Sequence, residues 1–188
     1  MGPHAARERA TGVTAELPYE FAFGTYQDAL RMVGTRTEPR FAGTAVSGAR
    51  IQHFAAMVRD PNPSYWDPDF ANSAWGGLVA PPALLTGLLM PPPWLPSGEP
   101  PTASIVVRVP LPGTAIINAS NDSEYLLPVL EGDMLSVVEE VVGVSPEKQT
   151  RLGDGHFIET RETYYRGDGA VVAICTNTLF RFTPAGEK

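Results

Sequence analysis

Between Ser47 and Val58, apolar residues fall at Ile51, Phe54, Ala55 and Val58, the i, i+3, i+4, i+7 spacing of one helix face. Ser47 supplies a side-chain oxygen for the N-cap, and Asp60-Pro61-Asn62-Pro63 forbids continuation of the helix. A second helix is expected from Pro81 to Met90. Proline suits a first helical turn, whose N–H groups have no intrahelical acceptor. Apart from Thr86 and Gly87 this run is apolar all round, so burial on every side is expected. Pro91-Pro92-Pro93 ends it and opens a proline-rich connection to Pro101.

From Ser104 onward the texture changes. The runs 105–109, 115–129, 134–144, 157–166 and 170–182 are rich in β-branched and aromatic residues and are parted by Gly, Pro, Asp or Asn, so they read as strands. Gly167-Asp168-Gly169 predicts a tight hairpin, and Leu130-Glu131-Gly132-Asp133 another turn. Helices followed by a series of strands define an α+β class with an antiparallel sheet. No internal repeat is visible. Residues 1–18 read as a polar, alanine-rich tail and residues 19–188 as one domain.

Composition narrows the partners. In 188 residues the net charge is −7, and no lysine- or arginine-rich face is evident, which argues against nucleic acid. There is no apolar run of membrane-spanning length and no apolar signal-peptide core at the N-terminus, so a cytoplasmic location is expected. Cys175 is the only cysteine, which excludes an intrachain disulfide and a cysteine-rich zinc site. Its apolar surroundings predict a buried thiol. No metal ligand set and no cofactor motif is apparent.

Two segments carry the chemistry. They are Asp60-Pro61-Asn62-Pro63-Ser64-Tyr65-Trp66-Asp67 and Gly76-Gly77-Leu78-Val79-Ala80-Pro81-Pro82. With Ser123-Glu124-Tyr125, Pro128 to Asp133, Glu162 to Tyr165 and Asp168 to Ala173, they make residues 18–182 resemble the MaoC-like hotdog hydratases, and more closely the partner-type half that lacks the catalytic histidine. The resemblance implies a single hotdog fold, an antiparallel sheet wrapped around a central buried helix. It also implies hydration of the double bond of an enoyl-CoA or acyl-carrier-protein thioester to an (R)-3-hydroxyacyl product. In that chemistry an aspartate and a histidine move protons to and from water and the α-carbon. A backbone N–H holds the thioester oxygen as it gains charge.

Asp60, Asn62 and Pro63 match the family's aspartate turn, D-x-N-P-x-H, but Tyr65 stands in the histidine position. A phenol with an unperturbed pKa of about 10 is a poor base near neutral pH. Pro82 falls where the resemblance puts the oxyanion glycine, and proline has no N–H. The candidate catalytic set is therefore Asp60, Asn62 and Tyr65, degenerate and inactive alone. The candidate substrate-binding set is Gly77, Val79, Pro82 and His156, with His156 placed along a substrate channel. His53 is expected in solvent, opposite the apolar stripe of its helix. Arg36, Arg40, Arg50 and Arg59 are candidates for CoA phosphates, though solvated surface charge is the ordinary role of such residues.

These departures favour a non-catalytic, substrate-shaping subunit of a heteromeric hydratase/dehydratase acting on long or bulky acyl-CoA thioesters, such as lipid or steroid side chains. Its partner would be a catalytic MaoC-like hotdog subunit in a heterodimer or heterotetramer. Three alternatives remain open: an autonomous homodimeric hydratase using Asp60 with Tyr65 or His156, an acyl-thioester binding module, and a hotdog thioesterase.

Overall fold

A computed structural model of the chain describes residues 20–92, 94–98 and 103–186. The tail expected at 1–18 and part of the connection at 91–101 lie outside the described residues. Five short helices, α1 (Tyr26–Leu30), α2 (Gly48–Val58), α3 (Pro63–Trp66), α4 (Pro68–Trp75) and α5 (Leu85–Leu89), accompany six strands. These are β1 (Arg40–Phe41), β2 (Ala115–Tyr125), β3 (Leu135–Val144), β4 (Lys148–Gln149), β5 (Gly153–Arg166) and β6 (Val171–Pro184). They form one antiparallel sheet in the order β1-β3-β5-β6-β2, with β4 added to β5.

The helices pack on one face of the sheet. On β3 the inward positions Leu135, Val137, Glu139 and Val141 are buried and alternate with half-exposed ones, the period of two that a one-sided sheet requires. Leu135 and Val137 join Tyr164, Ala173 and Cys175 beneath Ile51 and Ala55 of α2 and Leu85, Leu88 and Leu89 of α5. Val141 and Ile158, further along the same face, meet a second cluster built from Ala29 and residues 105–111. Glu139 is the polar residue between the two clusters.

The helix at 48–58 forms where the apolar spacing places it. Ser47 Oγ accepts the Arg50 N–H, and Arg59 closes the helix in the left-handed region at φ 57°. His53 is exposed, as expected, and Cys175 is buried. The expected helix at 81–90 is shorter and one-sided. It consists of a 3-10 turn at Pro82–Leu84 followed by the five residues of α5. Leu84, Leu85, Leu88 and Leu89 are buried, whereas Pro82, Ala83, Thr86 and Met90 face outward. Two arginines serve the last carbonyls of α5. Arg50 donates from Nη2 to the Gly87 carbonyl at 2.7 Å, and Arg40 donates from Nη1 to the Leu89 carbonyl. In a helix these carbonyls would accept from residues 91 and 93, both prolines without an N–H, so the arginines supply the missing donors.

The strand expected at 105–109 is instead a 3-10 turn, Ile105–Arg108. Its β-branched residues suit a strand, but a tertiary contact decides otherwise. Glu139 Oε2 accepts from Ser104 Oγ at 2.6 Å and from the Ile105 N–H at 2.8 Å, while Ser104 Oγ caps Val106. The remaining strands and both expected turns form within a few residues of their expected bounds. Among the described residues no helix is long and apolar enough to cross a membrane.

Candidate functional site

The two motif segments meet through a short chain of hydrogen bonds. Asp60 Oδ1 accepts the Asn62 N–H, and Asn62 Oδ1 accepts the Ser64 N–H, each at 3.0 Å. These consecutive side-chain-to-backbone turns, with Pro63 in the first turn of α3, fix the direction in which Tyr65 leaves the chain. Ser64 is buried. Its Oγ accepts from Trp75 Nε1 at 3.0 Å and its carbonyl accepts from the Val79 N–H at 3.1 Å. Gly76 ends α4 at φ 86°, a conformation glycine adopts without a Cβ penalty. Val79 then bridges to Leu130, and the Ala80 N–H donates to the Val129 carbonyl.

This junction frames a largely apolar cavity of 360 Å³, within the range of small-molecule sites. Asn62, Tyr65, Val79 and Pro82 all line it. Leu85 and Leu88 of α5 close one wall, and Tyr125, the last residue of β2, through Val129 form the other. Ser123-Glu124-Tyr125 and Pro128 carry the family resemblance in the sequence, but no local pattern marks them as wall residues. Trp75 had no signal of its own, because its role depends on the Ser64 contact.

Other expected site residues fall elsewhere. Asp60 lies on a shallow neighbouring surface with Arg59, Pro61 and Trp66, and its carboxylate is occupied by the turn. Gly77 is not on the cavity wall; it sits against Leu130 and carries the chain into the Val79 bridge. His156 requires a correction. It is 4% exposed, stacks on Tyr26 with ring centroids 5.4 Å apart, and its Nδ1 is 3.0 Å from the Ser145 carbonyl. The strand alternation carries it eight residues along β5 from Tyr164, about 27 Å at strand rise. It lines no part of this cavity. Three of the four candidate arginines hold protein groups. Arg36 pairs with Glu140 at 3.0 Å, and Arg40 and Arg50 hold the carbonyls of α5.

The electrostatics define what the site can do. Burial raises the pKa of Tyr65, and the nearby Asp60 carboxylate raises it further, against a smaller opposing effect of the Asn62 side chain. Tyr65 thus stays protonated at neutral pH and presents a hydrogen-bond donor, not a base. Pro82 occupies the first turn at the cavity wall with no N–H to offer. The cavity can hold an apolar chain and donate a hydrogen bond to an oxygen. Among the described residues that line it there is no histidine and no carboxylate.

The sequence matches the family described as the FAS1-like dehydratase domain region over residues 31–175, and the chain belongs to this MaoC-like hotdog dehydratase family. It is 32% identical over 161 residues to a probable enoyl-CoA hydratase alpha subunit of Thermomonospora curvata, covering 80% of this chain and 49% of that protein. It is 31% identical over 163 residues to the 3-oxo-4,17-pregnadiene-20-carboxyl-CoA hydratase alpha subunit of Mycobacterium tuberculosis, with the same coverage of 80% and 49%. The chain therefore spans about half the length of the curated relatives it matches. Among solved structures, a chain of the ChsH1–ChsH2 complex from Mycobacterium tuberculosis superposes with a TM-score of 0.69 at 26% identity, covering 85% of this chain and 92% of that one. The (R)-hydratase of A. caviae gives 0.53 at 20% identity, covering 81% and 96%, a likeness of fold alone. The fold is the hotdog expected from the sequence.

Proposed function

We propose that this chain is the non-catalytic, substrate-shaping subunit of a heteromeric (R)-specific enoyl-CoA hydratase/dehydratase. The observation that carries this reading is the composition of the cavity wall. An acyl-sized apolar space is bounded by a protonated Tyr65 and by Pro82, where hydration needs a base and an N–H donor. Loss of one oxyanion donor alone costs on the order of 2.7–4 kcal/mol in the transition state. A histidine-bearing MaoC-like partner would supply the proton transfers.

Two further observations support a partner. The relatives named above are alpha subunits, and one similar solved structure is a two-protein complex. In addition, β2 is a long edge strand, exposed from Ile117 to Tyr125, with Leu126 and Leu127 also exposed beside the cavity. An exposed edge with adjacent apolar side chains is the kind of surface that another chain covers. The short α5 leaves room over the sheet, which favours long or bulky acyl groups, steroid side chains included. The ligand in this reading is a CoA or acyl-carrier-protein thioester, and a cytoplasmic location is part of the proposal.

The test is hydration of crotonyl-CoA and of bulkier enoyl-CoAs by the purified chain, alone and co-expressed with a hotdog protein bearing D-x-N-P-x-H. Activity only in the mixture, unaffected by Asp60→Ala, is the expected result. Full activity of the chain alone, abolished by Asp60→Ala, would establish an autonomous hydratase instead. Release of free CoA would point to a thioesterase, and binding without turnover in any mixture to a binding module.

A further inference from the structure

Two buried hydroxyl groups follow each other on the cavity wall, and each has a proton left to give. Ser64 and Tyr65 are 6% and 7% exposed, and both line the cavity. A hydroxyl accepts through its lone pairs and donates one O–H. Ser64 Oγ accepts from Trp75 Nε1 at 3.0 Å. Burial and the Asp60 charge raise the pKa of Tyr65, and the Asn62 side chain opposes them by donating to the phenol oxygen. The accepting side of each hydroxyl is thus served, while among the described residues neither O–H has an acceptor. Buried polar groups ordinarily find partners, so two unspent donors on a cavity wall mark the place of a ligand atom.

The neighbouring backbone offers no competing donor. The Val79 and Ala80 N–H groups are spent on the Ser64 and Val129 carbonyls, and Pro81 and Pro82 have none. Asn62 adds an acceptor instead. Its Oδ1 takes the Ser64 N–H at 3.0 Å and keeps a second lone pair. Among the described residues no cation lines the cavity, so a carboxylate or phosphate guest has no counter-charge there. Two donors beside one acceptor suit a neutral group that carries both a C=O and an N–H, which is an amide. A thioester has the carbonyl but nothing for Asn62 to accept.

The cavity also has a direction. Asn62 is exposed, so the polar group opens to solvent, whereas Leu85, Leu88 and Val172 are buried.

We infer that Asn62, Ser64 and Tyr65 bind the amide of the pantetheine arm nearest the thioester sulfur, with both hydroxyls on its carbonyl oxygen and Asn62 Oδ1 on its N–H. This inference rests on the acyl-thioester reading above and adds the direction of the ligand, with the arm at Asn62 and the acyl chain along the leucines. The amide is the same in CoA and carrier-protein thioesters, so the site serves both. Because the amide does not react, its bonds are equal in substrate and transition state and bear on KM, not on kcat.

The test is calorimetric titration of the full chain with S-octanoyl-N-acetylcysteamine, which carries the amide, and with S-pentyl thiooctanoate, in which carbon replaces it. Tyr65→Phe should weaken the amide ligand about 3- to 10-fold, the scale of one neutral hydrogen bond, and leave the alkyl ligand within about twofold. A second measurement needs no variant. The acetate ester of S-octanoyl-2-mercaptoethanol keeps the carbonyl but puts oxygen in place of the amide N–H. It should bind the unaltered chain about 3- to 10-fold more weakly than the amide, because Asn62 Oδ1 then meets no donor. Equal losses of the amide and alkyl ligands in Tyr65→Phe would put the hydroxyls on the thioester carbonyl and overturn the inference. So would an amide affinity that Tyr65→Phe leaves unchanged, or an ester that binds as tightly as the amide. In each of these cases octanoyl thioester binding keeps the acyl-thioester reading intact, whereas absence of binding by all three ligands would overturn both.

Discussion

Glu139 and Glu162 face each other directly across β3 and β5, two carboxyl groups on the inward side of one sheet. Burial is the main cause of the raised pKa of Glu162. A hydrogen bond from Tyr164 and the Arg40 charge act against it, and Glu139 reinforces it. A carboxyl that titrates higher in the folded chain than in the unfolded one gives full stability below the unfolded pKa of about 4.3. That stability is lost as pH rises through the folded value. Glu162→Gln keeps an acceptor for Tyr164 and removes the charge. It should raise the melting temperature at pH 7 to 8 and have little effect at pH 4. A gain of about 1 kcal/mol corresponds to about 2–4 °C in a chain of this size. An equal shift at all pH values would show that charge is not the cause.

The short α5 is held by side chains distant in sequence. Arg50 and Arg40 donate to the Gly87 and Leu89 carbonyls, from α2 and β1 respectively. Hydrogen bonds from charged groups contribute about 1.5–3 kcal/mol. Arg50→Met or Arg40→Met should therefore lower the melting temperature by about 3–12 °C. Because both act on one five-residue helix, the double substitution should cost less than the sum, since the helix undocks only once. Additive losses measured by calorimetry would show that each arginine supports a separate element.

The same contacts mark what could be read from sequence. Ser47 and the Ile51–Val58 spacing are local signals, and α2 forms as that pattern dictates. The β-branched runs from Ala115 to Phe182 give β2, β3, β5 and β6, and the D-x-N-P turn places Asn62 and Tyr65 on the cavity. Where long-range donors or acceptors intervene, local pattern fails. Glu139, more than thirty residues away, turns Ile105–Arg108 into a 3-10 segment. His156 looked like a channel residue because histidine suggests chemistry. Its distance from the cavity is set by β5 register, which no local pattern encodes.

Tyr65 and Val79 separate binding from chemistry. With its pKa raised, Tyr65 serves as a donor on the cavity wall, so Tyr65→Phe removes one hydroxyl and little volume. In the co-expressed assembly, Tyr65→Phe should keep hydration within about threefold, against the 10²–10⁴-fold loss expected for a general acid–base residue. Val79→Phe pushes a ring into the 360 Å³ cavity and should weaken lauroyl-CoA binding by about tenfold or more. A Tyr65→Phe assembly that is inactive but still binds would assign the proton transfer to this chain.

Arg181 is fully buried on β6 and is stacked on Phe21, its guanidinium carbon 3.7 Å from the ring centroid. Its Nε donates to the Gly113 carbonyl at 2.7 Å and its Nη2 to the Leu111 carbonyl at 3.4 Å. Burial pushes its pKa down to about 10, so it remains charged at neutral pH. The planar fork serves several carbonyls while lying flat on an aromatic ring, which an ammonium group does not reproduce. Arg181→Lys should therefore lose most of the stabilisation, and Arg181→Met all of it. Stranding buried carbonyls costs about 1–3 kcal/mol each. With the Gly113 and Leu111 carbonyls both stranded, Arg181→Met should lower the melting temperature by about 4–24 °C. Hydrogen exchange should accelerate first at the Ala22 and Leu111 amides, which donate to the Val107 and Ala22 carbonyls in the segments that Arg181 ties to the sheet. If Arg181→Lys melts with the unaltered chain, charge alone suffices and the stacked fork is irrelevant.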